Sequence, residues 1–198
     1  GCGGDVWLMR NSLYPEMIAE ESVSIRAVKR VYHEFAPEDA DGNLTPKDIF
    51  EIAEGRAEGN VNAAREAFSQ LGKAAADSVI HALDIIDGLV VIGGGLSGAA
   101  KYIVPAMKEQ MRSRLSTFGG DHFPCLQSEV YELNDTEELA EFLRDDSTLV
   151  QVPGTERSVR YRNSRKTGIA VSSIGTSTAI ALGAYAFALN NLNNLSKS

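Results

Sequence analysis

Apolar positions recur at helical spacing along several stretches of this chain and mark out its helices. Ile25, Val28 and Val31 fall on one side of a helix predicted over 18–35, with Arg26, Lys29 and Arg30 on the other. Thr45-Pro46-Lys47-Asp48 combines an N-cap residue, a proline at the first helical position and an acid at the third, which announces a short helix ending by Glu54. Gly55 and Gly59 break it, and Asn60 caps the next one. Over 61–86, Ala64, Ala67, Phe68, Leu71, Ala75, Val79, Ala82 and Ile86 draw a long helix whose small residues suit close packing against a sheet or another helix.

The pattern then changes. Leu89-Val90-Val91-Ile92 is a short unbroken apolar run after an Asp-Gly turn, and such a run predicts a strand buried on both faces, as in a parallel sheet. A helix follows over 99–115, with Ile103, Met107 and Met111 inward. Strands are expected at 129–133 and 168–172, a charged helix capped by Asn134-Asp135 over 135–143, and an apolar helix over 179–189. Segments 148–152 and 158–162, joined across Pro153-Gly154, read as a β-hairpin. Strands alternating with helices predict α/β architecture around a largely parallel sheet, with the hairpin at its margin.

Charge narrows the function classes. The 198 residues fit one domain or two small ones. With 27 acidic against 19 basic side chains the net charge is −8, so a general phosphate-backbone binder is not expected and nucleic acid is not a predicted partner. The one cationic cluster, between Arg157 and Lys166, is interleaved with polar residues and reads as a solvated hairpin face. Cys2 and Cys125 show no metal-ligand spacing, and His33, His81 and His122 pair with no cysteine, so no zinc site is predicted. His81 is expected to be a satisfied core or interface residue. No apolar run reaches membrane-spanning length, and the expected setting is reduced and cytoplasmic. Asp39, Asp41 and Asp48 around Gly42 imitate part of a calcium loop, but proline occupies its first position and its twelfth lacks glutamate, so a plain loop is expected.

The sharpest chemical feature is the turn after Ile92. A strand running into Gly93-Gly94-Gly95 and then a helix bares backbone N–H groups and lets a phosphate or a flat base come close. Three readings stay open on spacing alone. Gly93, Gly95 and Gly98 formally satisfy the dinucleotide pattern, yet the acid wanted about twenty residues on falls at Asp121, in a loop ahead of the next strand. The turn reads equally as a nucleotide contact late in a kinase lobe, or as a tight bend that binds nothing.

In sequence, Leu89 to Ser97 resembles the adenosine motif of the ROK sugar kinases. Ala181-Leu182-Gly183-Ala184 resembles their second connecting segment, and Gly4-Asp5-Val6 the opening of their sugar-contacting motif. The resemblance implies an actin-like, ribonuclease-H-like α/β second lobe, truncated at its amino-terminal end. It would occupy 1–198 as one carboxy-terminal lobe with a hairpin insertion at 145–166. It further implies a glucokinase-like, ATP-dependent transferase of carbohydrate metabolism, acting on a sugar with ATP and Mg2+. Carried over by position, Gly93, Gly94, Gly95 and Ser97 would contact the nucleotide, with Gly183 and Ala184 assisting. Asp5, Glu20 and Glu21 would face the sugar.

The pattern also departs from that family. The phosphate loops and the catalytic aspartate have no counterpart here, so no catalytic residue is assigned and this chain alone is expected to be inactive. The motif histidine falls on Leu8, its glycine on Trp7, and the family's cysteine cluster for zinc is absent. The resemblance equally admits the sugar-sensing domain of a ROK-type transcriptional repressor. An unpaired sheet edge would be covered in a homodimer.

Overall fold

Ala64, Ala67, Phe68 and Leu71 come together on the buried side of one 25-residue helix, and most of the molecule is built against it. The computed structural model describes residues 6–39 and 43–195. Asp5, Gly4, Cys2, Asp41 and Gly42 lie outside the described residues, and so do the expectations placed on them.

Four helices form one half of the fold: α1 (Ile25–Phe35), α2 (Pro46–Ala53), α3 (Val61–Ile85) and α4 (Ala100–Met111). Each start has a local cause. Thr45 and Asp48 bond reciprocally, each side chain taking the other's backbone N–H, and Pro46 opens the first turn of α2. Asn60 Oδ1 accepts from the Ala63 N–H at the start of α3. Gly72 lets α3 and α4 touch backbone to backbone, for a Cβ there would stand 2.5 Å from the Ile103 carbonyl oxygen. Tyr32, Phe68, Ile49, Ile52, Val104 and Met111 fill the core between them, all fully buried.

The other half is a three-stranded parallel sheet in the order β1–β7–β4, with β1 (Val90–Ile92), β4 (Ser128–Glu132) and β7 (Arg165–Val171). Val90 pairs with Ile169, and Val130 with Thr167. The central strand buries Ile169 and Thr167, whose hydroxyl donates to the Gly88 carbonyl at 2.8 Å. Helix α5 (Thr136–Leu143) is capped by Asp135, which accepts from the N–H groups of Glu137 and Glu138. Lys108 of α4 bridges Glu132 and Glu138, tying the helical half to the sheet. The predicted hairpin exists as β5 (Thr148–Gln151) and β6 (Ser158–Tyr161), a separate two-stranded ribbon.

Several expectations need correction. Helix α1 begins at Ile25, because Ala19–Ser22 winds as a 3-10 turn and the preceding loop closes through an Arg10–Ile18 bridge. The loop is held by Asn11, a buried amide that bonds Ser22, the Ile18 carbonyl and the N–H groups of Leu13 and Tyr14. Helix α4 ends at Met111. Leu115 belongs instead to a hairpin of β2 (Arg114–Ser116) and β3 (His122–Pro124) that sequence periodicity did not reveal. Strand β1 is not buried on both faces: Val91 is 65% exposed, so the face to which it points is uncovered. His81 is exposed and so is not a core residue, although its ring has a partner, Nδ1 lying 2.6 Å from the Asp77 carbonyl oxygen. The last helix, α6 (Thr176–Leu195), is longer than predicted, and Ile180, Leu182, Tyr185, Phe187 and Leu192 on it are all exposed. Among the described residues no helix is long and apolar enough to cross a membrane.

Candidate functional site

The glycine turn sits where parallel-sheet ligand sites form, at the carboxyl end of a strand. Pairing of β1 with β7 holds Ile92 beside Val171, and the Ser172 N–H donates to the Ile92 carbonyl at 2.9 Å, fixing the base of the turn. Gly93, Gly94 and Gly95 are exposed, and a Cβ added at any of them would meet nothing within 4 Å. Their backbone therefore borders open space. Gly94 has φ +88° and ψ −175°, a conformation essentially reserved for glycine.

Gly95–Ala99 then winds as a 3-10 turn into α4. Ser97 closes it, both its N–H and its hydroxyl donating to the Gly94 carbonyl at 3.2 and 2.7 Å. The Ser97 side chain thus shapes the turn from within.

Next to the turn is a cavity of about 150 Å3, lined by Pro46, Lys47 and Phe50 of α2, Phe68 of α3, and Gly95, Leu96, Gly98 and Ala99. The volume suits one flat base better than a whole nucleotide, since pockets for larger ligands run to about 300 Å3 and above. Its aromatic wall is a packed trio. Phe50 meets Phe68 and Tyr102 edge-on at 6.3 Å, and Phe68 stacks on Tyr102 at 6.2 Å.

Behind the trio lies a polar staple. The Tyr102 hydroxyl is 3.0 Å from the Ala53 carbonyl oxygen and 2.6 Å from a Glu54 carboxylate oxygen, while Arg65 donates to the same carbonyl at 3.0 Å. Lys101 donates to Glu54 at 2.6 Å. The hydrogen bond from Lys101, followed by that from Tyr102, pulls the Glu54 carboxyl down to about 2. This group ties the end of α2 to the first turn of α4.

The remaining sequence-predicted positions lie elsewhere. Glu20 and Glu21 occupy the 3-10 turn before α1 and both face Arg26, at 3.5 and 2.8 Å, which raises the Arg26 pKa chiefly through the Glu21 hydrogen bond. Ala19 of that turn lines a small cavity with Ala74, Asp77, Ser78 and His81 of α3, whereas the glycine turn reaches α3 at Phe68. At about 1.5 Å per residue these two points lie roughly 9–20 Å apart along the helix. Gly183 and Ala184 are exposed on α6 and do not line the cavity at the glycine turn. Asp48, offered by the calcium-like pattern, is used in the cap of α2. Lys47, Phe50 and Phe68 were missed as site residues. Phe50 and Phe68 signalled only apolar spacing on two helices, which reads as core, and Lys47 gave no periodic signal.

A model of the ROK family matches residues 18–130. Among solved structures, the glucokinase from Parabacteroides distasonis ATCC 8503 is 49% identical and superposes with a TM-score of 0.83, matching 96% of this chain and 50% of its own. A candidate sugar kinase from Cytophaga hutchinsonii ATCC 33406, 19% identical, shares the fold at a TM-score of 0.50 over 89% of this chain and 45% of its own. The chain thus spans about half the length of these solved proteins. No curated protein matches it significantly. Because the family model covers more than half of the residues and a solved relative is nearly half identical along almost all of them, this chain belongs to the ROK family and has its actin-like α/β fold.

Proposed function

We propose that this chain is the carboxy-terminal, nucleotide-contacting lobe of an ATP-dependent kinase for a glucose-type sugar. The observation that carries the reading is the exposed Gly93–Gly95 turn beside an apolar, base-sized cavity, in a chain 49% identical to a glucokinase. The base would enter the cavity against Phe50, with the buried Phe68 behind it. Backbone N–H groups at Gly93, Gly94 and Gly95 would face the ribose and phosphates, with Ser97 holding the turn. Gly183 and Ala184 remain proposed contacts from α6, and Asp5, Glu20 and Glu21 proposed sugar contacts. The repressor reading draws no support from the solved neighbours, both of which are named as kinases.

The donor set fits the nucleotide better than it fits a resident ion. Among the described residues no group of three or more His, Cys, Asp or Glu is placed to hold a metal. A Mg2+ ion would then be held by the nucleotide phosphates and by carboxylates outside that set, and would neutralise charge at the transferring phosphoryl group.

The extent of uncovered apolar surface supports a two-lobe parent. Val91 on the edge strand and Ile180, Leu182, Tyr185 and Phe187 on α6 are 56–70% exposed, surface of a kind that marks an interaction face. The 145–166 hairpin would be an insertion in the same lobe. Alone, the chain is expected to bind nucleotide without phosphorylating sugar. A homodimer is part of the proposal, because β1 and β4 end the sheet with unpaired edges.

Titration with a fluorescent ATP analogue tests the binding half of the reading, and saturable binding abolished by unlabelled ATP is expected. A coupled phosphorylation assay across hexoses, on the chain joined to a segment matching the rest of the glucokinase relative, tests the catalytic half. Absence of nucleotide binding would refute the site. Light scattering at the mass of a single chain would remove the homodimer.

A further inference from the structure

Side chains able to hydrogen-bond are scarce around the cavity beside the glycine turn. Pro46, Phe50, Phe68, Leu96 and Ala99 line it and can neither donate nor accept, while Gly95 and Gly98 contribute backbone alone. Among the described residues Lys47 is the one polar side chain in the lining. It is exposed and forms no salt bridge among the described residues, feeling Asp48 and Glu51 only through longer-range attraction. An ammonium offers three donors and no acceptor.

We propose that this slot takes 6-oxopurine nucleotides as well as adenine nucleotides, and that Lys47 is the side chain that ranks them. The proposal rests on the nucleotide site put forward above. Adenine and the 6-oxopurines present the same flat bicyclic face to Phe50, the half-buried ring of the lining. They differ at position 6, where adenine carries an amino donor and guanine or hypoxanthine a carbonyl acceptor. A site that enforces adenine needs an acceptor for that amino group, and none of the lining side chains is one. Lys47 offers the opposite polarity and matches the 6-oxo group. Pockets that touch a substrate through apolar surface alone discriminate by about 10–200-fold, whereas those that hydrogen-bond the distinguishing group reach about 10^4–10^5. This slot belongs with the first kind for adenine and has a modest preference to give to the oxo bases.

The test is displacement of a ribose-labelled fluorescent ATP from the 198-residue chain by ATP, GTP and ITP, in the wild type and in Lys47→Met. Circular-dichroism melting checks the fold of the variant, which is expected to be unchanged. GTP and ITP should compete within about tenfold of ATP. Lys47→Met should weaken GTP and ITP by about tenfold and ATP by less than about threefold, the loss of one hydrogen bond to a charged donor. If ATP binds while GTP and ITP fall more than about a thousandfold behind, the inference is overturned and the nucleotide site stands. Equal weakening of all three by Lys47→Met makes the lysine a phosphate contact and removes its ranking role. Failure of every purine nucleotide to bind overturns the site and this inference together.

Discussion

Replacing the glycines of the turn one at a time separates a bend that exists for its shape from one that exists to be approached. Gly94 is held at φ +88° and ψ −175°, and an added Cβ meets no atom within 4 Å, so Gly94→Ala costs backbone strain and nothing else. That strain is about 1–3 kcal/mol. At about 2–4 °C per kcal/mol for a chain of this length, the melting temperature should fall by roughly 2–12 °C. Gly93 and Gly95 also border open space but lack the positive φ. Their alanine variants should therefore melt within about 0.5 kcal/mol of wild type. Each methyl would nonetheless stand on the side from which the nucleotide is proposed to approach. Binding of labelled ATP should then weaken at least tenfold, or about 1.4 kcal/mol. Melting curves by circular dichroism and equilibrium titration of the three variants read both quantities from one preparation. Unchanged nucleotide affinity in Gly93→Ala and Gly95→Ala, with instability confined to Gly94→Ala, would make the turn purely structural and refute the reasoning.

Three further outcomes are expected. Gly72→Ala places a methyl 2.5 Å from the Ile103 carbonyl oxygen, a backbone atom that cannot swing aside. Overpacking of about 1–3 kcal/mol should outweigh the ~1 kcal/mol gain in helix propensity, and urea unfolding will show the net loss. Tyr102→Phe keeps the stack on Phe68 but removes the one hydroxyl shared between the Ala53 carbonyl and the Glu54 carboxylate, so the urea midpoint should fall by an amount equivalent to about 1 kcal/mol. The Glu54 carboxyl, pulled down to about 2 by Lys101 and then Tyr102, contributes stability that is complete above its ordinary 4.5 and is lost as pH falls through that value toward 2. Glu54→Gln should flatten the urea midpoint between pH 6 and pH 3 relative to wild type, and an unchanged slope would show that the staple is not charged in the way described.

Local chemistry accounts for what could be read from the sequence. The cap at Thr45 and Asp48, the cap at Asn60, the cap at Asp135 and the Pro153-Gly154 turn each need only a few consecutive residues, and each forms as expected. Alternation of strands and helices likewise sufficed for a parallel sheet. Periodicity failed at Leu115, which continues the spacing of Ile103, Met107 and Met111 although the helix has already stopped. The chain there is captured by a tertiary contact, the Cys125 N–H donating to the Ser113 carbonyl at 2.9 Å. It also failed at Val91. An apolar run states that both faces want cover, but whether cover arrives depends on what packs there, and among the described residues nothing covers the face of β1 that carries Val91.

The same division runs through the candidate site. Its glycine wall was legible because a missing Cβ is written directly in the sequence, and Gly93, Gly94 and Gly95 stand together without help from the fold. Its aromatic wall was not, because Phe50 and Phe68 meet only when α2 crosses α3, and each looks like core on its own helix. Lys47 gives no periodic signal at all; it lines the cavity from the first turn of α2, which the Thr45–Asp48 cap closes, while the Glu54–Lys101–Tyr102 staple ties the other end of α2 to α4. Contact with a nucleotide could thus be argued from a motif. Choice among nucleotides rests on the wall assembled by tertiary packing, and a substitution at Lys47 should alter that choice while one at Gly93 or Gly95 weakens every nucleotide alike.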